Sequence, residues 1–368
     1  MKTKTPFIDR ITKTLAVAGL VLSIINSSCK KDLIDKPVAN QNTAIAIARA
    51  GSVQPGVPGQ LMKGLAGALG STIGPAGDLF VPDPVAGAIL RIDPKTGTYT
   101  TFASGLPKMV AVIGGITDVA FIGGKAYALV TMVSDPNLFP TGTINGIYRI
   151  DGTNRFTVIA DIGAYNLAHP PTGFNFFIST GVSYSIQTYR DGFLVTDGHL
   201  NRVLYITLDG NITVVQRFGD IVPTGLAVRG NTIYLSQAGP VPHLPENGKV
   251  VSFSGNGSAV TNIASGAPLL VDVEFGRGQT LFALSQGPGV IGAPDGSPAQ
   301  PNTGSLVRVN SDGTFTIIAD ELDRPTSMEI VGNTAYIITL TGEIWTVDNI
   351  AGPPFDQNHQ KHLLHRHD

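Results

Sequence analysis

Four carboxylates recur in matching surroundings along this chain. Asp118, Asp272, Glu274 and Glu329 stand in or just beyond the short runs "TDVAF", "VDVEF" and "TSMEI". Carboxylates brought together from such runs can act as general bases, or hold a divalent cation such as Ca²⁺, which takes six to eight oxygens at about 2.3–2.6 Å. Asp118, Asp272 and Glu274 are the metal candidates. The other use of these acids is to be solvated by internal water or to cap neighbouring backbone. A second set lies in Gly- and Pro-rich stretches: Tyr165, His169, Phe174, Gln237, His243 and Gln286, with Phe176, Phe177 and Glu246 nearby. Aromatic faces beside neutral polar groups suit contact with a small molecule or a partner protein. The single thiol, Cys29, is the third candidate. No G-x-S-x-G, H-E-x-x-H or phosphate loop is present, so no catalytic residue is assigned and the balance tilts away from an enzyme.

The elements that must position these residues repeat. Six phrases align, "LGSTI" (69–73), "TDVAF" (117–121), "TGVSY" (180–184), "TGLAV" (224–228), "VDVEF" (271–275) and "TSMEI" (326–330). Their second positions are Gly70, Asp118, Gly181, Gly225, Asp272 and Ser327. Each phrase precedes a short turn and a second strand, then a third such as "GIYRID" or "GEIWTVD". Five units add a fourth strand, and the sixth has none because "NIAGPP" interrupts it. An open sheet edge must be covered, and "GVPGQLMKGL" (56–65) stands where the missing strand belongs. This spacing predicts an all-β, six-bladed β-propeller of about 49 residues per blade over 56–350, closed by an N-terminal strand that completes the last blade.

The run "FLVTDGHLNRVLYITLDGNITVV" (193–215) resembles an NHL-type blade, with Asp197 ending the second strand and Asn201-Arg202 opening the third. These three read as structural, Asp197 holding the turn and Arg202 pairing with it. From 56 to 350 the chain is similar to the ScyD/ScyE family of propellers, related to the NHL and gluconolactonase-like groups. That resemblance implies the blade rather than a reaction. In gluconolactonase-like propellers it further implies a divalent metal in the central channel, held by Glu, Asn and Asp of inner strands.

Loop lengths are lopsided. Turns such as "DGTNR" and "LDGN" fall on one face of the ring, while the long segments 132–145, 162–180, 236–248 and 285–304 fall on the other, where they are expected to meet at the channel mouth.

The N-terminal region reads as a targeting segment. Lys2, Lys4, Arg10 and Lys13 precede the apolar run "TLAVAGLVLSII" (14–25), shorter than the roughly 20 residues of a membrane span. With Ser27-Ser28-Cys29 after it, the region resembles a bacterial lipoprotein signal, which implies a lipid on Cys29. The expected organisation is a signal peptide (1–28), a tether (29–55), the propeller (56–350) and a His-rich tail (351–368). Without 1–28 the net charge falls from −2 to −5, and no basic run remains to attract nucleic acid. The sequence thus predicts a lipid-anchored envelope protein that binds an unidentified small molecule or envelope protein through its long-loop face. The alternative is a metal-dependent, lactonase-like hydrolase working in the channel.

Overall fold

Residues 56–351, except 112, 174, 175, 258 and 295, are described by the computed structural model. The signal segment, Cys29, the tether and the tail beyond Ala351 lie outside the described residues. Alternating apolar residues in short strands bounded by Gly and Asp turns form six antiparallel sheets of four strands, ordered from the channel outwards. The inner strands of blades 1 to 6 are Thr72–Ile73, Gly115–Ile122, Ser183–Tyr189, Pro223–Arg229, Leu270–Phe275 and Pro325–Val331.

Blade 6 takes its outer strand from the other end of the propeller. Gly59–Lys63 pairs antiparallel with Glu343–Asp348, matching Gly59 to Thr346 and Lys63 to Glu343. The ring closes as the repeat predicts. Both ends of the propeller leave on the short-turn face, because the closing strand starts there and Glu343–Asp348 ends there.

Burial is concentrated between blades. Among the described residues, each blade interface has its own cluster of buried side chains, such as Phe80, Ile89, Ile116 and Val130 between blades 1 and 2. Phe193, Val195 and Leu204 pack with Leu129 and Ile147 between blades 2 and 3. A blade therefore has no core apart from its neighbours.

In blades 2 to 6 the register of the inner strand shifts at one place, for example between Ile116 and Asp118 and between Leu270 and Asp272. A bulge sets two residues against one on the partner strand and re-aims their side chains. Here it lets consecutive residues reach the channel and the next blade.

Candidate functional site

Blade 3 departs from the sequence alignment. Its inner strand is fixed by the hairpin that pairs Tyr189 with Gly192, which sets Ser185 level with Asp118, so "YSIQT" (184–188) is the true phrase. Thr180-Gly181 only imitates the motif. The Thr180 hydroxyl and amide are used elsewhere, on Asp135.

With that correction the ring reads Gly70, Asp118, Ser185, Gly225, Asp272, Ser327, so that Gly-Asp-Ser occurs twice around six blades. The two halves use it identically. Asp118 accepts the amides of Val119 (2.8 Å) and of Ile186 in blade 3 (2.9 Å), and the Ser185 hydroxyl. Asp272 accepts those of Val273 (2.9 Å) and of Met328 in blade 6 (2.8 Å), and the Ser327 hydroxyl. Glycine precedes each aspartate because a Cβ at Gly70 or Gly225 would collide with the carboxylate of Asp118 or Asp272. One residue earlier, Thr117, Thr224 and Thr326 donate to a carbonyl of their own second strand and to one in the next blade, Ser183, Leu270 and Ala68 respectively. The repeated phrase is thus a set of staples between blades.

Two residues beyond the aspartate level, on the same side of the strands, come Gln187, Glu274 and Glu329. Gln187 donates to the Leu226 carbonyl of blade 4 at 3.2 Å. Glu274 accepts the Phe275 amide at 3.1 Å, and Glu329 accepts the Ile73 amide of blade 1. All four acids line one cavity of about 220 Å³ together with Tyr184, Ser185, Ser327, Thr72 and Thr188, and no Lys, Arg or His is among its lining residues.

Burial without a cation raises every one of these carboxyls. Desolvation outweighs the hydrogen bonds and pushes Asp118 up to about 8 and Asp272 to about 7. Desolvation and then the neighbouring Asp272 charge raise Glu274 to about 8, and burial followed by the charges of Glu274 and Asp272 drives Glu329 well above the carboxylate range.

The three metal candidates do share the cavity, but they are not grouped to hold one ion. Both oxygens of Asp118 and of Asp272 accept amides, and among the described residues no three His, Cys, Asp or Glu side chains are grouped to hold an ion. A hard cation needing six or more oxygens does not fit this donor set.

The long-loop candidates are scattered and largely turned inward. Tyr165 sits in helix α1 (Ile162–Ala168), stacks on His169 at 4.3 Å between centroids and lies under Arg202. His169 closes the helix, its ring nitrogen 3.0 Å from the Tyr165 carbonyl. His243 turns back on Gly239 (2.7 Å). Gln286 accepts the Ala299 amide and reaches the Pro325 carbonyl, which ties its loop to blade 6, and Gln237 is buried in its ladder. Phe174 lies outside the described residues, while Phe176 and Phe177 set their rings edge-on to His199. These side chains bond within their own loops or to a neighbouring blade and do not converge on one site.

Asp197 holds its turn through the Leu200 and Val182 amides, as expected, but Arg202 does not pair with it directly. Asn166 stands between them, donating to Asp197 (2.8 Å) and accepting from Arg202 (2.6 Å). An intervening residue from another loop is invisible to blade spacing. Asp135 and Tyr184 also escaped the sequence reading. Counting back four residues from the Tyr189–Gly192 hairpin, as works in the other blades, lands on Ser185 and would have exposed Tyr184 just before it.

No family model matches the chain, and no curated protein matches it in sequence. Solved structures share its fold. A gluconolactonase from Xanthomonas campestris is similar with a TM-score of 0.54 at 15% identity, covering 79% of this chain and 89% of that one. A streptogramin B lyase gives 0.52 at 11%, covering 79% and 97%. The PQQ-bound aldose sugar dehydrogenase from Streptomyces coelicolor gives 0.51 at 16%, covering 80% and 99%. The chain is a six-bladed β-propeller. At these identities the likeness is one of fold.

Proposed function

We propose that the protein acts in its channel as a lactonase-like hydrolase, with its own carboxyl groups as acid and base. One observation supports this above the others: four carboxyls line a single polar cavity, where burial raises Asp272 to about 7 and Glu274 and Asp118 to about 8. General catalysis is most effective when the group's pKa is close to the working pH. The acids interact and titrate together, so the lower one loses its proton first.

Ionised Asp272 takes a proton from water as the water oxygen bonds to the ester carbonyl carbon. Protonated Glu274, two residues along on the same side of the strand, gives its proton to the ring oxygen as the carbon–oxygen bond breaks. The product is a hydroxy acid, whose carboxylate the newly ionised Glu274 repels. A divalent cation such as Ca²⁺, implied by the family resemblance, takes no step here because the donor set does not fit it. The enzymes that share the fold support a catalytic use of such a channel only as analogy.

Hydrolysis of δ-gluconolactone followed in a pH-stat tests the proposal. The expected profile is a bell between about pH 7 and 8, unaffected by chelator, and Asp272→Asn should lower kcat by about a hundredfold or more. No turnover, or full activity in Asp272→Asn, would overturn it. Activity lost to chelator and restored by Ca²⁺ would replace it with the metal-dependent form.

The second reading, a docking face for a small ligand or envelope protein, is favoured by apolar side chains at the long-loop tips, notably Phe177 at 70% and Ile291 at 98% exposure. We also infer export and anchoring to the cell envelope through a lipid on Cys29.

A further inference from the structure

We propose that the carboxyl-lined cavity is a blind pocket entered from the short-turn face, with Tyr184 as the stopper at its other end, and that it admits small neutral or cationic polar molecules while refusing anions. The proposal rests on the channel being the working site. It places the entrance opposite the long loops, where length alone would put it.

The stopper is explicit. Tyr184, in blade 3, crosses the ring and donates its hydroxyl to the Thr326 carbonyl of blade 6 at 2.8 Å, and its ring packs on the cluster between blades 5 and 6. At the same level the other five blades carry shorter side chains, Leu69, Thr117, Thr224, Val271 and Thr326. One residue nearer the long-loop face, Ala68, Ile116, Ser183, Pro223, Leu270 and Pro325 are all buried.

Exposure grows in the opposite direction. Asp118 and Ser327 are buried, Gln187, Thr188, Phe121 and Glu329 are half-exposed, and Val331 and Arg229 at the inner hairpins are exposed. The accessible end of the cavity therefore lies among the short turns.

Charge sets the ligand class. As Asp272, Asp118 and Glu274 ionise, above about pH 7 to 8, carboxylates without a cation among the lining residues make the interior unwelcoming to an anion, while hydroxyl and amide groups of Ser185, Ser327, Thr72 and Gln187 offer hydrogen bonds to a neutral molecule. Lys125, Arg190, Arg229 and Arg277 stand exposed at the inner hairpins of blades 2 to 5. An anionic product would move outward along that gradient.

Thiol labelling tests this without requiring turnover, so it stands or falls separately from the hydrolase reading. In the full chain carrying Cys29→Ser, which has no other thiol, Ser327→Cys reports access to the cavity floor, and Gln187→Cys serves if the first variant fails to fold. At pH 9, where Asp272, Asp118 and Glu274 are ionised, a small cationic methanethiosulfonate (ethylammonium) should label it at least about tenfold faster than the anionic ethylsulfonate reagent. Thr188→Trp, at the short-turn end, should abolish labelling, and adding Tyr184→Ala should restore it by opening the far end. Labelling that persists through Thr188→Trp, or equal rates for the two reagents, would overturn the proposal.

Discussion

Asp118 and Asp272 hold the ring together and carry a cost for doing so. Each joins two blades through backbone amides, yet burial raises its pKa from 3.8 to about 8 or 7. The folded state therefore binds more protons than the unfolded chain between those values, and stability falls as pH rises through that window. The melting temperature should accordingly drop from pH 5 to pH 8, and Asp118→Asn should flatten the dependence even if it lowers stability overall through a mismatched amide. Calorimetry across that range checks it. A parent melting temperature independent of pH would show that these carboxyls are ionised throughout.

At the scale of elements, bulged inner strands aim side chains, while loops are fastened by a few buried polar groups. Asp135 is the clearest fastener. Fully buried in the loop after the second strand of blade 2, it accepts the amides of Asn137, Leu138 and Thr180 and the hydroxyls of Ser179 and Thr180. Burial alone would raise its pKa, but these donors win and lower it. Its contribution is present above the unfolded value of 3.8 and lost as pH falls below it, opposite in sign to the channel acids. Asp135→Ala strands several donors and should cost about 2–4 kcal/mol. Urea unfolding should show that loss, and limited proteolysis should cut within 132–145 or 162–180. An unchanged midpoint and cleavage pattern would mean the loops are held by other contacts.

For the whole molecule, closure by Gly59–Lys63 joins chain segments nearly 300 residues apart and covers the edge of Glu343–Asp348. A chain beginning at Gly67 should lose stability sharply or aggregate, whereas one beginning at Ala50 should melt like the parent. Equal melting of the two would contradict the pairing. Anchoring belongs to the same scale. If Cys29 carries a lipid, Cys29→Ala should move the protein from the membrane to the soluble fraction, and unchanged fractionation would remove the lipoprotein proposal. The described propeller begins and ends on the short-turn face, and the apolar loop tips lie on the opposite one.

Blade number, ring closure and the lopsided loops were legible in the sequence by itself, since each follows from local alternation, turn residues and a period that survives without knowing any contact. Asp118 and Asp272 were legible as channel-facing acids for the same reason. The rest depended on residues far apart in the chain. Thr180-Gly181 copies the repeated phrase, and only the Tyr189–Gly192 hairpin shows that Ser185 holds its place. Tyr184 becomes a stopper only through a carbonyl 142 residues away, and Asp135 a fastener only through the next blade's loop. The raised carboxyl pKa values likewise arise from water removed by all six blades at once. Repetition writes the scaffold into the sequence, whereas the shape and charge of the channel come from side chains that meet only when the ring is closed.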